Sequence, residues 1–481
     1  MRVARFAVAA AVLVLASGCS MAPDYHRPAI ATPAAYKELP AGWTEASPQD
    51  ATQRGDWWAM FNDPVLDDLE RRLDAASPTL AAALARYDRA RAVARATGAD
   101  LYPELSVGAD ASRQRASGRR PLANSGPATY NDYSVGAALD YEVDLWGRVR
   151  DSVRASKAEA TASGADLASA RLSLQAALAD AYFRLRGLDA EAALLKSTVE
   201  AFGRAFDLTN TRHDGGLASG LDVSRAQTVL SDARAQISET ANARAATEHE
   251  IAALVGEIAS TFAIAPRTDL AHPPAIPAGT PSDMLQRRPD IAAAERRVAS
   301  ANARIGVARA ALFPSITLGG AAGFETTHGS LLSSPASFWT LGPLSALLAV
   351  FDGGRRAAEI RISRAEYDEA AADYRATVLA AFREVEDGLA AARTLAVQAK
   401  DQQEAATAAG RTSDLALTRY RDGASDYLEV VTAQTAALDA ERAAIAVQTL
   451  RMRAAVAIVR ATGGPLDGQQ FAGPVRSDLN R

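Results

Sequence analysis

Two segments of the chain alternate between apolar and polar residues with a period of two. Apolar side chains at odd positions from Tyr133 to Leu145 alternate with small or acidic residues at even positions, and Leu105 to Ser112 repeat the pattern. Successive side chains of a strand point to opposite faces, so the pattern predicts strands at about 104–115 and 130–145. Together they would form a hairpin with one apolar and one polar face.

A second pair of strands is predicted at about 315–326 and 337–351. Ile316, Leu318 and Phe324 mark the first of them. The second alternates poorly and contains Pro343, which cannot donate a backbone hydrogen bond to a neighbouring strand. The chain therefore has four predicted strands, of which the last is the least regular.

Long helical segments follow each strand pair. No proline interrupts residues 148–210 or 355–421, and apolar residues recur there at helical spacing. At 1.5 Å per residue, about 65 residues would form a helix about 100 Å long. Alanine dominates the apolar positions, which favours close packing of helix against helix.

The strand pairs and helices form a tandem repeat. Gly147 aligns with Gly354 at an offset of 207 residues, and the same offset aligns Thr211-Arg212 with Thr418-Arg419. Upstream, around the prolines that precede each strand pair, the offset becomes 211. A constant offset over such a length indicates one structural unit used twice.

Proline-rich segments separate these units, because proline cannot continue a helix or a central strand. We divide the chain into a lipoprotein signal at 1–18, an extended segment at 19–62, a first repeat at 63–262, a proline-rich connector at 263–282, a second repeat at 283–464 and a flexible tail at 465–481.

The chain begins with an export signal that ends at a single cysteine. Arg2 and Arg5 precede an apolar run, Phe6–Ala16, that is too short to span a membrane. Cys19 follows small residues and is the only cysteine, which is typical of a bacterial lipoprotein. We therefore predict lipidation of Cys19, and the following Ser20 favours the outer membrane. An ordinary signal peptide is the alternative.

Composition and motifs exclude several function classes. One cysteine and five histidines in 481 residues exclude disulfide scaffolds and Cys/His metal sites. A net charge of −5 gives no basic face for nucleic acid. The chain has no G-x-S-x-G, P-loop or paired C-x-x-C motif, and His249-Glu250 lacks a second histidine one turn on. We therefore expect neither an enzyme nor a cofactor.

Four strands cannot close a membrane barrel, because bacterial barrels have at least about eight and an open edge in lipid leaves backbone groups unpaired. Three chains of four strands would supply twelve. A trimer would also gather the long helices into a closed ring, so the strand count predicts a homotrimer.

Several strings resemble the outer membrane factors of the TolC-like, NodT/OprM branch. They are Ala22-Pro23-Asp24-Tyr25-His26-Arg27-Pro28, Trp57-Trp58, Asp144-Leu145-Trp146-Gly147-Arg148, Arg287-Arg288-Pro289-Asp290-Ile291 and Phe313-Pro314-Ser315-Ile316. The resemblance runs from the signal to about Gly464. It implies an α+β membrane protein with a long α-helical periplasmic barrel and a twelve-stranded β-barrel shared by a homotrimer.

The same resemblance implies a function and partners. The trimer would be a passive exit duct in the outer membrane, lipid-anchored, with a large periplasmic portion. It would export drugs or other toxic solutes received from an inner-membrane pump of the RND type through a periplasmic adaptor protein. Protein secretion of type I and metal-ion efflux are alternatives within the channel class.

The turns after the long helices hold the residues that the resemblance implicates in a periplasmic gate. Tyr420 and Asp222 are similar to the tyrosine and aspartate whose contact holds the TolC entrance shut, and Glu429 matches a ring aspartate. Thr432 and Ser425 replace the second ring aspartate and the gating arginine. Three more acidic residues are secondary candidates, or alternatively helix caps: Asp214, Asp422 and Asp426.

A pore-less coiled-coil structural lipoprotein is a further alternative. It would explain the long helices, and on those segments alone it would be favoured. It explains neither the alternating segments nor their repetition.

Overall fold

The computed structural model describes residues 20–30, 33, 35–38, 55–117, 119, 127–274, 287–327 and 337–464. The predicted signal, Cys19, the tail at 465–481 and part of the predicted connector lie outside these residues. The chain divides into two compact units. The first unit holds the described residues up to Ala29, Arg86–Gly164 and Ala293–Arg375. The second holds Ile30–Ala85, Ala165–Ala292 and the described residues from Ala376 onward.

Among the described residues, groups of helices and groups of strands follow one another along the chain. The α-helices are α1 (Pro64–Ala76), α2 (Pro78–Ala99), α3 (Arg148–Asp214), α4 (Gly220–Leu254), α5 (Pro289–Ala310), α6 (Arg355–Arg421) and α7 (Tyr427–Ala461). The strands are β1 (Glu104–Ala116), β2 (Ala128–Glu142), β3 (Ser315–Thr326), β4 (Phe338–Leu341) and β5 (Leu344–Leu347). A short 3-10 helix, Trp57–Phe61, precedes α1.

The tandem repeat is present in three pairs of described helices. Helices α3 and α6 each have 67 residues, α4 and α7 each have 35, and α2 and α5 each have 22. The long helices start at Arg148 and Arg355, which are 207 residues apart, whereas α2 and α5 start 211 residues apart. Both offsets read from the sequence are confirmed.

The five strands form one antiparallel sheet in the first unit. Its order is β1-β2-β3, and both β4 and β5 pair with the remaining edge of β3. The prediction of one strand over 337–351 is wrong, because the ladder breaks at Pro343, which has no N–H to donate. The carbonyl of Pro343 instead accepts a hydrogen bond from the Gly319 N–H at 2.8 Å.

The second strand also ends earlier than predicted, at Glu142 instead of 145. The carboxylate of Asp144 accepts hydrogen bonds from the backbone N–H and the Nε of Arg150, at 2.9 and 3.1 Å. This contact turns the chain out of the sheet and into the first turn of α3.

The register gives the sheet two chemically distinct faces. The apolar face includes Leu105, Val107, Ala109 and Ala111 of β1, Leu139, Ala137, Val135 and Tyr133 of β2, and Leu318, Ala322 and Phe324 of β3. The polar face includes Glu104, Asp110, Asp132, Asp140, Glu142 and Glu325. None of the helices in the described part of the chain has an apolar stretch long enough to cross a bilayer.

The main hydrophobic core belongs to the second unit and contains residues of both repeats. Trp57, Trp58 and Phe61 pack with leucines of α1 and with buried residues of α3, α4 and α7. Helix α1 begins at Pro64. Asp63 caps its start, because the Asp63 carboxylate accepts hydrogen bonds from two backbone N–H groups of the first turn.

Candidate periplasmic gate

Two turns in the second unit join each long helix to the shorter helix after it. Gly216 and Gly423 have φ of 74° and 77°, a left-handed conformation that glycine adopts without strain. The Leu217 N–H donates to the Arg212 carbonyl at 2.7 Å, and the equivalent bond in the second turn measures 2.8 Å. The turns therefore use the same motif at equivalent positions of the repeat.

Acidic side chains cap the helices that leave these turns. At the start of α4, Ser219 and Asp222 each accept the backbone N–H of the other at 3.2 Å. At the start of α7, the Asp426 carboxylate accepts the Glu429 N–H at 3.1 Å. Two of the predicted site residues, Asp222 and Asp426, thus stabilise helix starts.

A small buried cluster lies behind the turns. The rings of Tyr420 and Tyr427 are 5.5 Å apart and inclined by 66°, and both side chains are buried. The Tyr420 hydroxyl donates to Thr209 Oγ1 at 3.4 Å. Burial, together with the nearby Tyr420 and Asp222, raises the pKa of Tyr427 to about 12. The Tyr427 hydroxyl therefore stays protonated at physiological pH.

Arg212 connects the two turns. Its guanidinium lies 4.6 Å from the centre of the Tyr420 ring, and its Nη1 donates to the Tyr420 carbonyl oxygen. Arg212 belongs to the last turn of α3, whereas Tyr420 belongs to the last turn of α6. A cation over an aromatic face and a charge-assisted hydrogen bond both favour this arrangement. The ends of the two long helices are therefore tied together by one side chain.

The equivalent arginine of the second repeat has a different role. Arg419 Nη1 lies 2.9 Å from Glu429 Oε1 within its own turn, and the two side chains are 57% and 42% exposed. An ion pair this exposed contributes little to stability. The repeat aligns Glu429 with Asp222. Asp222 also forms an ion pair, at 3.6 Å from Arg225 Nη1, and in addition forms the capping box with Ser219.

The structure brings the predicted gate residues to one end of the helices without joining Tyr420 to Asp222. Among the described residues, no hydrogen bond links that pair. The carboxylate of Asp222 instead contacts Ser219 and Arg225, and the Tyr420 hydroxyl contacts Thr209. Asp214 and Asp422 are exposed at the ends of their long helices.

Sequence reasoning missed Arg212, Thr209 and Tyr427. The repeat had aligned Arg212 with Arg419, but an alignment does not show that one side chain crosses to the other turn. Within the described residues, no group of three His, Cys, Asp or Glu side chains is placed to hold a metal ion. The contacts of Arg212 with Tyr420 hold the ends of the two long helices together.

The chain next to the predicted lipid anchor is fixed in the first unit. Ser20 Oγ donates to the buried Asp151 carboxylate, at 2.8 and 2.9 Å from its two oxygens. A Cβ on Gly306 would lie 2.3 Å from that carboxylate and 2.7 Å from the Ala22 nitrogen. This close approach therefore requires glycine.

A repeated unit of two-faced strands and long helices, joined by matching turns at the helix ends, defines a channel protein of the outer membrane. The family model described as outer membrane efflux protein matches residues 70–257 and again residues 280–464. The chain belongs to the outer membrane efflux protein family.

Individual relatives match over nearly the whole chain. Outer membrane protein OprJ of Pseudomonas aeruginosa is 34% identical over 479 residues, covering 97% of both chains. The toluene efflux pump outer membrane protein TtgC of Pseudomonas putida is 33% identical over 450 residues, covering 93% of both. The solved structure of the outer-membrane channel OprN matches with a TM-score of 0.85 and 32% identity, over 93% of this chain and 100% of that one.

These matches confirm the predicted fold class, the outer-membrane location and the channel function. The chain is the outer membrane channel of an efflux system, has a helical periplasmic portion and is not an enzyme.

Proposed function

We propose that the chain forms a trimeric exit duct, which releases drugs or other toxic solutes as the outermost component of a tripartite efflux system. The observation that supports this proposal is the sheet of the first unit, which is open at both edges. Among the described strands, β1 pairs only with β2, and β4 and β5 pair only with β3. In a bilayer, such open edges would leave backbone groups without hydrogen bonds.

Three copies would remove these edges. Each chain would contribute β1, β2, β3 and the broken strand β4–β5, so that β1 of one chain pairs with β4–β5 of the next. The resulting twelve-stranded barrel lies within the size range of bacterial barrels. The apolar face would contact lipid, and the acidic polar face would line the pore.

The proposed partners are a periplasmic adaptor and an inner-membrane pump of the RND type, which supplies the energy. The relative TtgC is named as the outer membrane protein of a toluene efflux pump. At the first turn, Leu217 and Leu221 are 77% and 59% exposed, and Leu428 is exposed at the second. Exposed apolar side chains at the helix ends suit contact with an adaptor.

The two turns are proposed as the periplasmic gate, with Tyr420, Asp222 and Glu429 as its predicted members. Arg212 would hold the gate closed by tying the first turn to Tyr420. In a trimer, the exposed carboxylates of the secondary candidates would face one another across the entrance, where rings of like charge favour cations. These candidates are Asp214, Asp422 and Asp426.

Cys19 is proposed as the lipid anchor, because an export signal with small residues at its end precedes this single cysteine. Mass spectrometry of the N-terminal peptide checks this assignment. We expect a peptide that begins at residue 19 and carries the added mass of acyl chains. A free thiol at Cys19 would contradict the assignment.

The trimeric duct is tested on the purified full-length protein in mild detergent and in planar bilayers. We expect the mass of three chains and discrete single-channel conductance. A monomeric mass, or trimers that do not conduct, would contradict the proposal. Deletion of the gene followed by a toxicity panel then identifies the exported solutes, and cross-linking identifies the adaptor.

The gate is tested by Arg212→Gln combined with Tyr420→Phe. The double variant removes the guanidinium from the ring and the hydroxyl from Thr209, so single-channel conductance should rise. Arg204→Gln, an exposed position of α3, is the control with the same charge change. Equal conductance of the wild type, the double variant and the control would contradict the gate assignment without contradicting the channel function.

A further inference from the structure

Acidic and basic residues occupy opposite faces of the sheet. The carboxylates of the polar face extend along three strands, whereas the basic residues of the described strands are Arg113 and Arg115, both on β1. Arg113 pairs with Asn131 and Arg115 with Thr129, in register with the row that joins Ala111 to Tyr133. Both arginines therefore lie on the apolar face.

The arginines lie just beyond the apolar band. On that face of β2, Tyr141 and Tyr133 are eight residues apart, which is about 27 Å along a strand and, at the usual strand tilt of about 40°, about 20 Å along the membrane normal. Apolar bands of bacterial barrels are about 25 Å tall and are flanked by aromatic residues. At the Glu142 end of β2 the chain leaves the sheet and enters α3, a helix of the periplasmic portion. Asn131 lies beyond Tyr133 toward the opposite end of the strand. Arg113 and Arg115 therefore lie at the extracellular border.

The protein does not neutralise these charges. Both side chains are exposed, and among the described residues neither forms an ion pair or a side-chain hydrogen bond. Their cross-strand neighbours Asn131 and Thr129 are neutral. An unpaired cation beside a hydrocarbon layer is unfavourable, and phosphate is the anion that a guanidinium binds with two parallel hydrogen bonds.

We propose that Arg113 and Arg115 bind the phosphate groups of the glycolipid in the outer leaflet of the outer membrane. The two side chains are two residues apart on one face, about 7 Å along the strand, so they can contact one phosphorylated headgroup together. This inference rests on the proposed function, because it takes the sheet to cross the membrane with its apolar face toward lipid.

The test uses the purified full-length trimer, stripped of lipid in detergent. Lipid A with two phosphates is titrated in, and bound lipid is counted by native mass spectrometry. We expect Arg113→Gln and Arg115→Gln each to weaken binding about fivefold, and the double variant about 30-fold. Lipid A lacking one phosphate should bind the wild type more weakly. Arg86→Gln with Arg89→Gln, exposed on α2, is the charge-matched control and should bind like the wild type.

Three results would overturn the inference. The double variant could bind lipid A like the wild type, removal of phosphate could leave binding unchanged, or inorganic phosphate at equal concentration could displace the lipid. The last result would indicate a site for free anions. Conductance in bilayers without lipid A separates this inference from the proposed function. If the double variant forms conducting trimers whose affinity for lipid A is unaltered, only the inference is contradicted. If the wild type neither trimerises nor conducts, the proposed duct is contradicted.

Discussion

Glu70 of α1 is a carboxylate buried among core residues. It is fully buried, and within the described part of the chain neither of its oxygens has a hydrogen-bond partner. Leu66 and Leu73, one turn away on either side, belong to the main core. Burial, and then the nearby carboxylates led by Asp74, hold the pKa of Glu70 well above its usual range. The folded protein therefore favours the neutral acid at this position.

We predict that Glu70→Gln stabilises the protein at neutral pH. The pKa of Glu70 is higher in the folded state, so above about pH 4.3 folding must take up a proton, and stability falls as the pH rises. Glutamine has the same shape and does not titrate. The gain should be about 1–3 kcal/mol at pH 7.5 and should vanish near pH 4.

Thermal unfolding at both pH values checks this prediction. Glu239→Gln removes an exposed carboxylate of α4 and should leave the unfolding temperature unchanged at either pH. If Glu70→Gln gives the same gain at pH 4 as at pH 7.5, the effect does not come from titration of Glu70.

Local signals indicated the turns of the proposed gate, whereas the resemblance to a known family assigned Tyr420, Asp222 and Glu429 to it. Glycines and acidic residues mark both turns in the sequence. The partner of Arg212 is 208 positions away in Tyr420, so no local pattern could reveal it. The capping box between Ser219 and Asp222 is local, and the spacing Ser219-Gly220-Leu221-Asp222 marks it in the sequence.

At the scale of elements, periodicity was most informative where one pattern persisted. The long helices were expected to end near residues 210 and 421, and they end at Asp214 and Arg421. The broken strand β4–β5 was the weakest prediction, since its residues alternate poorly. Its position is determined by pairing with β3. Pairing between strands that are distant in the sequence cannot be predicted from the residues of one strand alone.

Two glycines with the same backbone conformation allow a matched prediction about helix ends. Gly256 after α4 and Gly216 after α3 have φ of 75° and 74°. A Cβ on Gly256 would lie 2.4 Å from the Ala76 carbonyl oxygen, whereas one on Gly216 would meet nothing within 4 Å. Gly216→Ala should therefore cost about 1–2 kcal/mol, the left-handed strain alone.

Gly256→Ala should cost about 1–3 kcal/mol more, because the backbone of α1 must also move. Denaturant unfolding of both variants beside the wild type measures the difference. An equal loss of stability would show that the end of α1 moves aside freely. The contact would then not fix the end of α1 against the end of α4.

In the proposed trimer, the polar face of the sheet would line the pore and would determine which ions pass through it. Glu104 and Asp140 are direct cross-strand neighbours, and like charges placed so are destabilising unless water and counter-ions screen them. Glu142 is paired with Arg148, whereas the described strands contribute no basic residue to this face. In the proposed trimer, three such faces would line a water-filled pore, and the cations attracted to it would screen the repulsion.

We therefore predict a cation-selective channel. In planar bilayers under a KCl gradient, the reversal potential should show that K⁺ permeates more readily than Cl⁻. Asp110→Asn with Asp132→Asn removes two carboxylates per chain from the polar face and should move the permeability ratio toward one. Arg113→Gln with Arg115→Gln changes the charge of the same sheet on its apolar face and should leave the ratio unchanged. If the arginine variant alters selectivity and the aspartate variant does not, the assignment of the faces to pore and lipid is reversed.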